Sequence, residues 1–320
     1  MQRAIILGSS GQDGTILYNK LETLGYNIVG LTKNKSRSTL ADYDSLDLKI
    51  TNERDIYQLI KNFKPTQVYH LSAYQHSSSE IIKDRECEIF NNSFEINTKS
   101  LQIILEGLSL FSKDTSLFYA ASSSIYSNTD TDIQTEKTPY SPIDYYGISK
   151  VAGIHLCEYY RKNANLNIAV GIMYNHESIY RKKKFVSYKI IQHALEIANN
   201  KRDELILGNL ESKVDWGSAK DYVDAMHLLT RNSVSDNFII ASGITHSVED
   251  FVSIVFDHLG LNYKEYVRVN SGLIKKNNRN LCGDISKIKK TINWEPTIKF
   301  KEMIIEMVEH YKKEIEIEIG

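Results

Sequence analysis

Three sets of residues have the types and spacings that chemistry would need. Gly8, Gly11 and Gly14 are spaced G-x-x-G-x-x-G near the start of the 320-residue chain. They follow an apolar run, Ala4–Leu7, and open a stretch with Ile16, Leu17, Leu21 and Leu24 at helical spacing. A tight turn there brings backbone N–H groups against a pyrophosphate at the positive end of a helix, where side chains would block the approach. A plain βα turn could carry the same glycines; the first-strand position favours a dinucleotide site. Tyr146 and Lys150 form the second set. Four residues is about one helical turn, so both side chains share a face. A phenol with a pKa near 10 is a poor acid–base at pH 7, and a neighbouring ammonium is expected to lower it. Exposed residues of an amphipathic helix would give the same spacing. The third member decides between them: Ser122 ends an apolar strand and offers a hydroxyl for a substrate oxygen.

Short apolar strands alternate with helices to position these groups. Asn27–Leu31, Val68–Leu71, Leu117–Ala121 and Ile168–Met173 read as strands; Glu53–Phe63 and Tyr145–Lys162 read as helices, with a long amphipathic stretch from Glu88 to Leu110. This order predicts βαβ units and a Rossmann-type, doubly wound parallel sheet over residues 1–175. Residues 176–320 read as mainly a smaller substrate lobe, with some segments returning to the sheet. Basic and polar loops at Tyr180–Lys184 and Gly208–Asp215 and a helix pair after Asp284 belong to that part. The second strand runs into Thr32, Lys33, Asn34 and Lys35 with Arg37 beyond, where an acid would bind a ribose 2′-hydroxyl. Positive charge suits a 2′-phosphate and favours NADP over NAD, although a solvated basic loop would look alike. Asp47 and Leu48, after a third strand-like stretch, are placed to meet the adenine amino group.

Composition narrows the classes. The chain is 42% hydrophobic and 25% charged, with net charge -1. That fills a core and leaves no basic field for nucleic acid. No apolar run approaches the roughly 20 residues that cross a bilayer, and the N-terminal run is too short for the apolar core of a signal peptide. Cys87, Cys157 and Cys282 form neither a CxxC pair nor a metal spacing, so a reducing cytoplasm and no metal are expected.

The constellation resembles the extended short-chain dehydrogenase/reductases and, more closely, the GDP-mannose 4,6-dehydratases. The resemblance spans nearly the whole chain. Its carriers are Gly8-Ser-Ser-Gly-Gln-Asp-Gly14, Tyr69-His-Leu-Ser-Ala73, Tyr146-Gly-Ile-Ser-Lys150, Tyr174-Asn-His-Glu-Ser178, Phe185-Val186, Gly208-Asn-Leu-Glu-Ser-Lys-Val-Asp-Trp-Gly217 and Asn293-Trp-Glu-Pro296. It implies NADP, with NAD as the alternative, on Gly8, Gly11, Gln12, Asp13, Gly14, Lys33, Asp47, Leu48, Leu71 and Ala73. Tyr146 would take the proton of the sugar 4-hydroxyl as C4 loses hydride, Lys150 would hold the ribose and tune Tyr146, and Ser122 would bind O4. Asn175, Glu177, Lys189, Asn209, Lys213 and Arg279 would face a nucleotide sugar, GDP-linked by resemblance. A homodimer or homotetramer is implied as well.

The pattern breaks at one catalytic position. The family's strand end carries a hydroxyl residue, a spacer and a glutamate; this chain reads Ser122-Ser123-Ser124. The resemblance makes that glutamate the group that removes the C5 proton and assists loss of the C6 hydroxyl. A serine has no such basicity, so redox at C4 is supported and dehydration is not. Val214 stands where an arginine is expected, and Lys275–Asn280 replaces an arginine-led segment; Lys213, Arg279 or the Arg181–Lys184 run could substitute. His76 reads equally as a substrate contact or a polar loop residue. Three activities stay open: a 4,6-dehydratase, a GDP-4-keto-6-deoxy-hexose reductase, and a C4 dehydrogenase or epimerase. A cofactor-sensing partner protein without turnover is the reading of a different class, and the intact Tyr146 and Lys150 count against it.

Overall fold

The computed structural model describes residues 1–33, 35–75, 85–270, 272 and 280–319, with side chains through residue 315. The strands are β1 (Arg3–Leu7), β2 (Asn27–Leu31), β3 (Ser36–Ser38), β4 (Gln67–His70), β5 (Ser116–Ser122), β6 (Ile133–Gln134), β7 (Asn167–Met173), β8 (Asn175–Glu177), β9 (Leu205–Leu207), β10 (Lys213–Ser218), β11 (Asn237–Ile240), β12 (Thr245–Ser247), β13 (Val267–Val269) and β14 (Cys282–Gly283). The helices are α1 (Gln12–Thr23), α2 (Glu53–Phe63), α3 (Glu86–Phe94), α4 (Ser100–Phe111), α5 (Tyr145–Ala164), α6 (Val186–Ala198), α7 (Ala219–Arg231), α8 (Val248–His258), α9 (Tyr263–Tyr266), α10 (Ser286–Ile292) and α11 (Phe300–Ile319). A π-helical turn, Glu95–Lys99, joins α3 to α4.

The apolar runs make one seven-stranded sheet in the order β11-β7-β5-β4-β1-β2-β3. All its pairs are parallel except β2 with β3. Helices cover both faces, which is why these strands are apolar throughout rather than alternating. In β1, Ile5 and Leu7 pack with Ile60, Leu105 and Ile154 of α2, α4 and α5. Ala4 and Ile6 point the other way, to Leu17 and Leu21 of α1 and Val223 and Met226 of α7. The two-residue period of a strand thus feeds two cores from one segment.

Two details depart from the sequence reading. The third strand-like stretch is only the edge strand β3, antiparallel to β2. Asp47 is therefore exposed in irregular backbone, while Leu48 packs on the layer with α2 and α4. The segment Gly208–Asp215, expected as a loop, ends inside β10, which pairs with β12 and β8 in a three-stranded sheet. A third core gathers Ile190 and Leu195 of α6, Phe251 and Val255 of α8, Met307 and Val308 of α11, and Trp216. Between these segments the chain returns to the main sheet through α7 and β11.

Gly14 shows how tightly the first turn is built. A Cβ there would lie 2.1 Å from the Gly8 carbonyl oxygen and 2.7 Å from Ser9 Cα. Both are backbone atoms with no rotamer to escape into. Gly14→Ala is expected to cost about 3 kcal/mol of stability, read as a lowered urea midpoint. Gly11→Ala should cost less than half of that, because its Cβ would meet only the Gly8 oxygen, at 3.3 Å.

Candidate active site

The crevice lies where β1 and β4 leave the sheet in parallel beside one another, with β2 continuing on the far side of β1. The chain turns at Gly8, where φ is 87°, and enters α1 with Gly11 as N-cap and no capping side chain. Gly8 and Gly14 are glycine because the protein's own backbone presses on them. Gly11 differs: the absence of a side chain there leaves the first-turn N–H groups of α1 open. A pyrophosphate fits that cradle on both charge and space. Leu71 and Ala73 follow β4 on the opposite wall, half-buried and exposed respectively.

The second part of the site is set by α5. Asp144 caps this helix by accepting from Gly147 N at 2.7 Å, so the helix begins at Tyr145 and presents Tyr146 in its first turn. Gly153 lets α5 approach β5 closely: a Cβ there would sit 2.2 Å from the Tyr119 hydroxyl. That approach buries Lys150, which donates to the Ala120 carbonyl at 2.7 Å and lies 5.6 Å from the Tyr146 ring centre. Ser122, at the end of β5, is a hydrogen-bond partner of the Tyr146 phenol. Its hydroxyl also donates to Ser124 Oγ at 3.1 Å and accepts from Ser124 N at 3.2 Å. Ser122, Ser124, Tyr146 and Lys150 therefore meet at one place.

The electrostatics reverse one expectation. Burial pushes the Tyr146 phenol up to about 12; the Ser122 hydrogen bond and the Arg181 charge work against that rise, while Asp144 and Asp13 add to it. Burial also pulls Lys150 down to about 7. The phenol rises and the lysine falls together because desolvation penalises both charged forms at once.

Several other residues are placed differently from the sequence reading. The side chains of Gln12 and Asp13 turn away from the glycine loop toward β8. Gln12 Nε2 donates to the His176 carbonyl at 3.0 Å, and its Oε1 accepts from Ser178 at 3.0 Å. Both Asp13 carboxylate oxygens lie 3.0 Å from His176 Nε2. Glu177, expected at the substrate, is buried and accepts from Ser187 at 2.7 Å with Arg181 Nε at 2.9 Å. A buried carboxylate beside a guanidinium stays in that pair. Lys189 donates to the Ile206 carbonyl at 2.7 Å. Asn209 caps its own turn through Glu211 N at 2.9 Å. Asn175, Lys213 and Lys33 are exposed. Arg37 is laid over the Tyr18 ring at 3.8 Å. Arg279 and His76 lie outside the described residues, as does most of the segment 275–280.

Three residues outside the expected catalytic and binding set also act at the site. Arg181 acts on both Tyr146 and Asp13; its only sequence signal was the basic run it begins. His176 is bound to Asp13 across 163 residues of chain. Asn97, fully buried in the π turn, accepts from Tyr74 N at 2.8 Å and donates to Tyr74 O at 3.1 Å and Ser149 Oγ at 2.9 Å. Ser149 in turn donates to the Tyr146 carbonyl at 2.7 Å. One amide thus ties the wall after β4 to the helix that carries Tyr146 and Lys150. The widened turn, the sort of irregularity common at functional sites, carries the residue that makes this tie.

Comparison with known proteins bears on the family and the fold. Residues 5–307 match the family described as GDP-mannose 4,6 dehydratase. GDP-mannose 4,6 dehydratase 2 of Arabidopsis thaliana is 30% identical over 96% of this chain and 86% of its own length. The Homo sapiens GDP-mannose 4,6 dehydratase is 30% identical over 95% and 90%. Among solved structures, RMD from Pseudomonas aeruginosa, complexed with NADPH, superposes with a TM-score of 0.83 at 17% identity, covering 98% of this chain and 100% of that one. The dTDP-glucose 4,6-dehydratase of Bacillus anthracis, in complex with NAD, gives 0.80 at 19% identity, covering 99% and 98%.

Proposed function

Because this chain belongs to the GDP-mannose 4,6-dehydratase family, we propose that it is an NADP-dependent nucleotide-sugar enzyme that moves hydride at C4 of a GDP-linked sugar without expelling water. A nicotinamide ring supplies the two-electron acceptor for the hydride. The chain's own share is the O4 proton: Ser122 orients the 4-hydroxyl, and Tyr146, as the phenolate, receives its proton and becomes the neutral phenol as the C4–H bond breaks, leaving a 4-ketone. In the opposite direction the same phenol returns the proton, as a 4-keto-sugar reductase requires. The basic end of β2, with Lys33 and Lys35 exposed and no acid, supports NADP over NAD. Exposed Asn175 and Lys213 are the proposed contacts to sugar and nucleotide. A homo-oligomer is proposed from family membership alone. Among the described residues no helix is long and apolar enough to cross a membrane.

One observation carries the claim that water is retained. The position beside Ser122 holds a hydroxyl, Ser124 Oγ, at 3.1 Å. The carboxylates that act on Tyr146 are engaged elsewhere: Asp144 caps α5, and Asp13 is bound to His176. Neither is free to take a proton from C5. Incubation with GDP-mannose and NADP, read by mass spectrometry, should show cofactor reduction or 4-keto product with no loss of water. Loss of water by the unaltered enzyme would refute the role given to Ser124. Ser124→Glu should raise water loss by about 10²-fold, the usual scale for one general base. No rise would mean that the pocket has diverged beyond that base.

A further inference from the structure

The Gln12–Asp13 and His176–Ser178 segments form a latch between the first turn of α1 and β8. Asp13 stands in the first turn of α1, against the cradle proposed for the pyrophosphate. His176 stands in β8, which belongs to a different sheet. His176 Nδ1 faces the Tyr174 carbonyl at 2.7 Å, and Nε2 faces the two Asp13 oxygens at 3.0 Å. Both partners only accept, so both ring nitrogens carry protons and the ring is an imidazolium. Its face lies on Tyr222, with ring centres 4.8 Å apart. Gln12 adds a second tie, donating to His176 O and accepting from Ser178, whose hydroxyl also receives Tyr180 N at 3.1 Å. The side chains of Asp13 and His176 are 19% and 13% exposed, so water weakens this pair far less than a surface one.

We propose that this latch transmits occupancy of the dinucleotide loop to the substrate strand, making Asp13 and His176 positioning residues that couple the two binding events. The proposal rests on the dinucleotide reading of the glycine loop. Any shift of the first turn of α1 moves the Asp13 carboxylate, and His176 is bound to that carboxylate by two contacts. Asn175, exposed and proposed to contact the sugar, is the next residue on one side of His176. On the other side Glu177 holds Arg181, which acts on Tyr146. Position at the cofactor loop is therefore converted into position at the sugar and at the phenol. Coupling between two sites by such a shared element amounts to roughly 5- to 150-fold in affinity, and it is reciprocal.

The test uses the full chain with NADPH, NADH and GDP as probes, read by amide hydrogen exchange and by binding titrations. In the unaltered protein NADPH should slow exchange in residues 8–15 and also in residues 174–187, and GDP should bind at least about 5-fold more tightly with NADPH present. His176→Phe keeps a ring for Tyr222 but removes both donors. It should still bind NADPH, with protection confined to residues 8–15 and the GDP enhancement gone. Asp13→Asn keeps the shape and removes the charge; it should give the same loss, and the double variant no further one. Protection in the unaltered protein that stops at residue 15 would overturn the proposal, whatever the variants do. So would variants that bind NADPH and still protect residues 174–187. Failure of both NADPH and NADH to change exchange anywhere would instead overturn the dinucleotide reading itself, and the latch's purpose with it.

Discussion

Tyr146→Phe is expected to lower hydride transfer by about 10³-fold while leaving the affinity for the nicotinamide nucleotide nearly unchanged. The hydroxyl is the only part of the side chain removed, and the ring that packs at the start of α5 remains. Its hydroxyl is the partner of Ser122, so the variant loses the proton acceptor and frees Ser122 at once. Burial holds the phenol at about 12 in the protein alone, far above neutral pH. The transfer is therefore expected to quicken as pH rises from 7 to 9, since each step raises the phenolate fraction. Single-turnover rates with NADP and GDP-mannose across that range check both statements. A Tyr146→Phe enzyme with unchanged turnover, or one that loses cofactor binding as fully as turnover, would remove the phenol from its assigned role.

Lys150→Met should lower turnover by about 10²-fold and at the same time stabilise the folded chain. Lys150 is among the largest fully buried side chains. Burial takes its pKa from the ordinary lysine range down to about 7. Between pH 7 and about 10.4 the unfolded chain then binds a proton that the folded chain has released, so folding stability rises with pH across that window. Below pH 7 the folded chain carries a buried ammonium, held by the Ala120 carbonyl and by the Tyr119 and Tyr146 rings, whose centres lie 5.0 and 5.6 Å away. Methionine fills similar volume without that cost. The variant should therefore exceed the unaltered protein by about 4 kcal/mol at pH 6, with the gap closing toward pH 10. Urea unfolding without added nucleotide at pH 6, 7, 8 and 9 measures it. A gap that stayed constant with pH would show that packing, not charge, separates the two. Keeping a destabilising lysine in such a place is what a catalytic requirement would impose.

Much of the scaffold was legible because it rests on local rules. Ala4–Leu7, Asn27–Leu31 and Ile168–Met173 are apolar on both faces, and only a helix-covered parallel strand has a use for that. The strand–glycine–helix order located the turn at Gly8, and the four-residue interval put Tyr146 and Lys150 on one face of α5. Ser122 was found from its place at a strand end. Asp47 was less legible, because a three-residue antiparallel edge strand and a parallel strand share the same local composition. Arg181 carried only the signal of a basic run, and Asn97 none, since a widened helical turn has no signature in residue spacing.

By itself, then, the order of residues determined which backbone segments line the crevice and which hydroxyl, phenol and ammonium stand there, since these follow from periodicity over a few turns of chain. Only the folded arrangement decided what the charged neighbours do. Gln12, Asp13 and Glu177 are held by His176, Ser178 and Arg181, and Tyr146 rises instead of falling in pKa. The reason is physical: a charge answers to its burial and to whichever partner lies within about 3 Å, and for Asp13 that partner is 163 residues away along the chain.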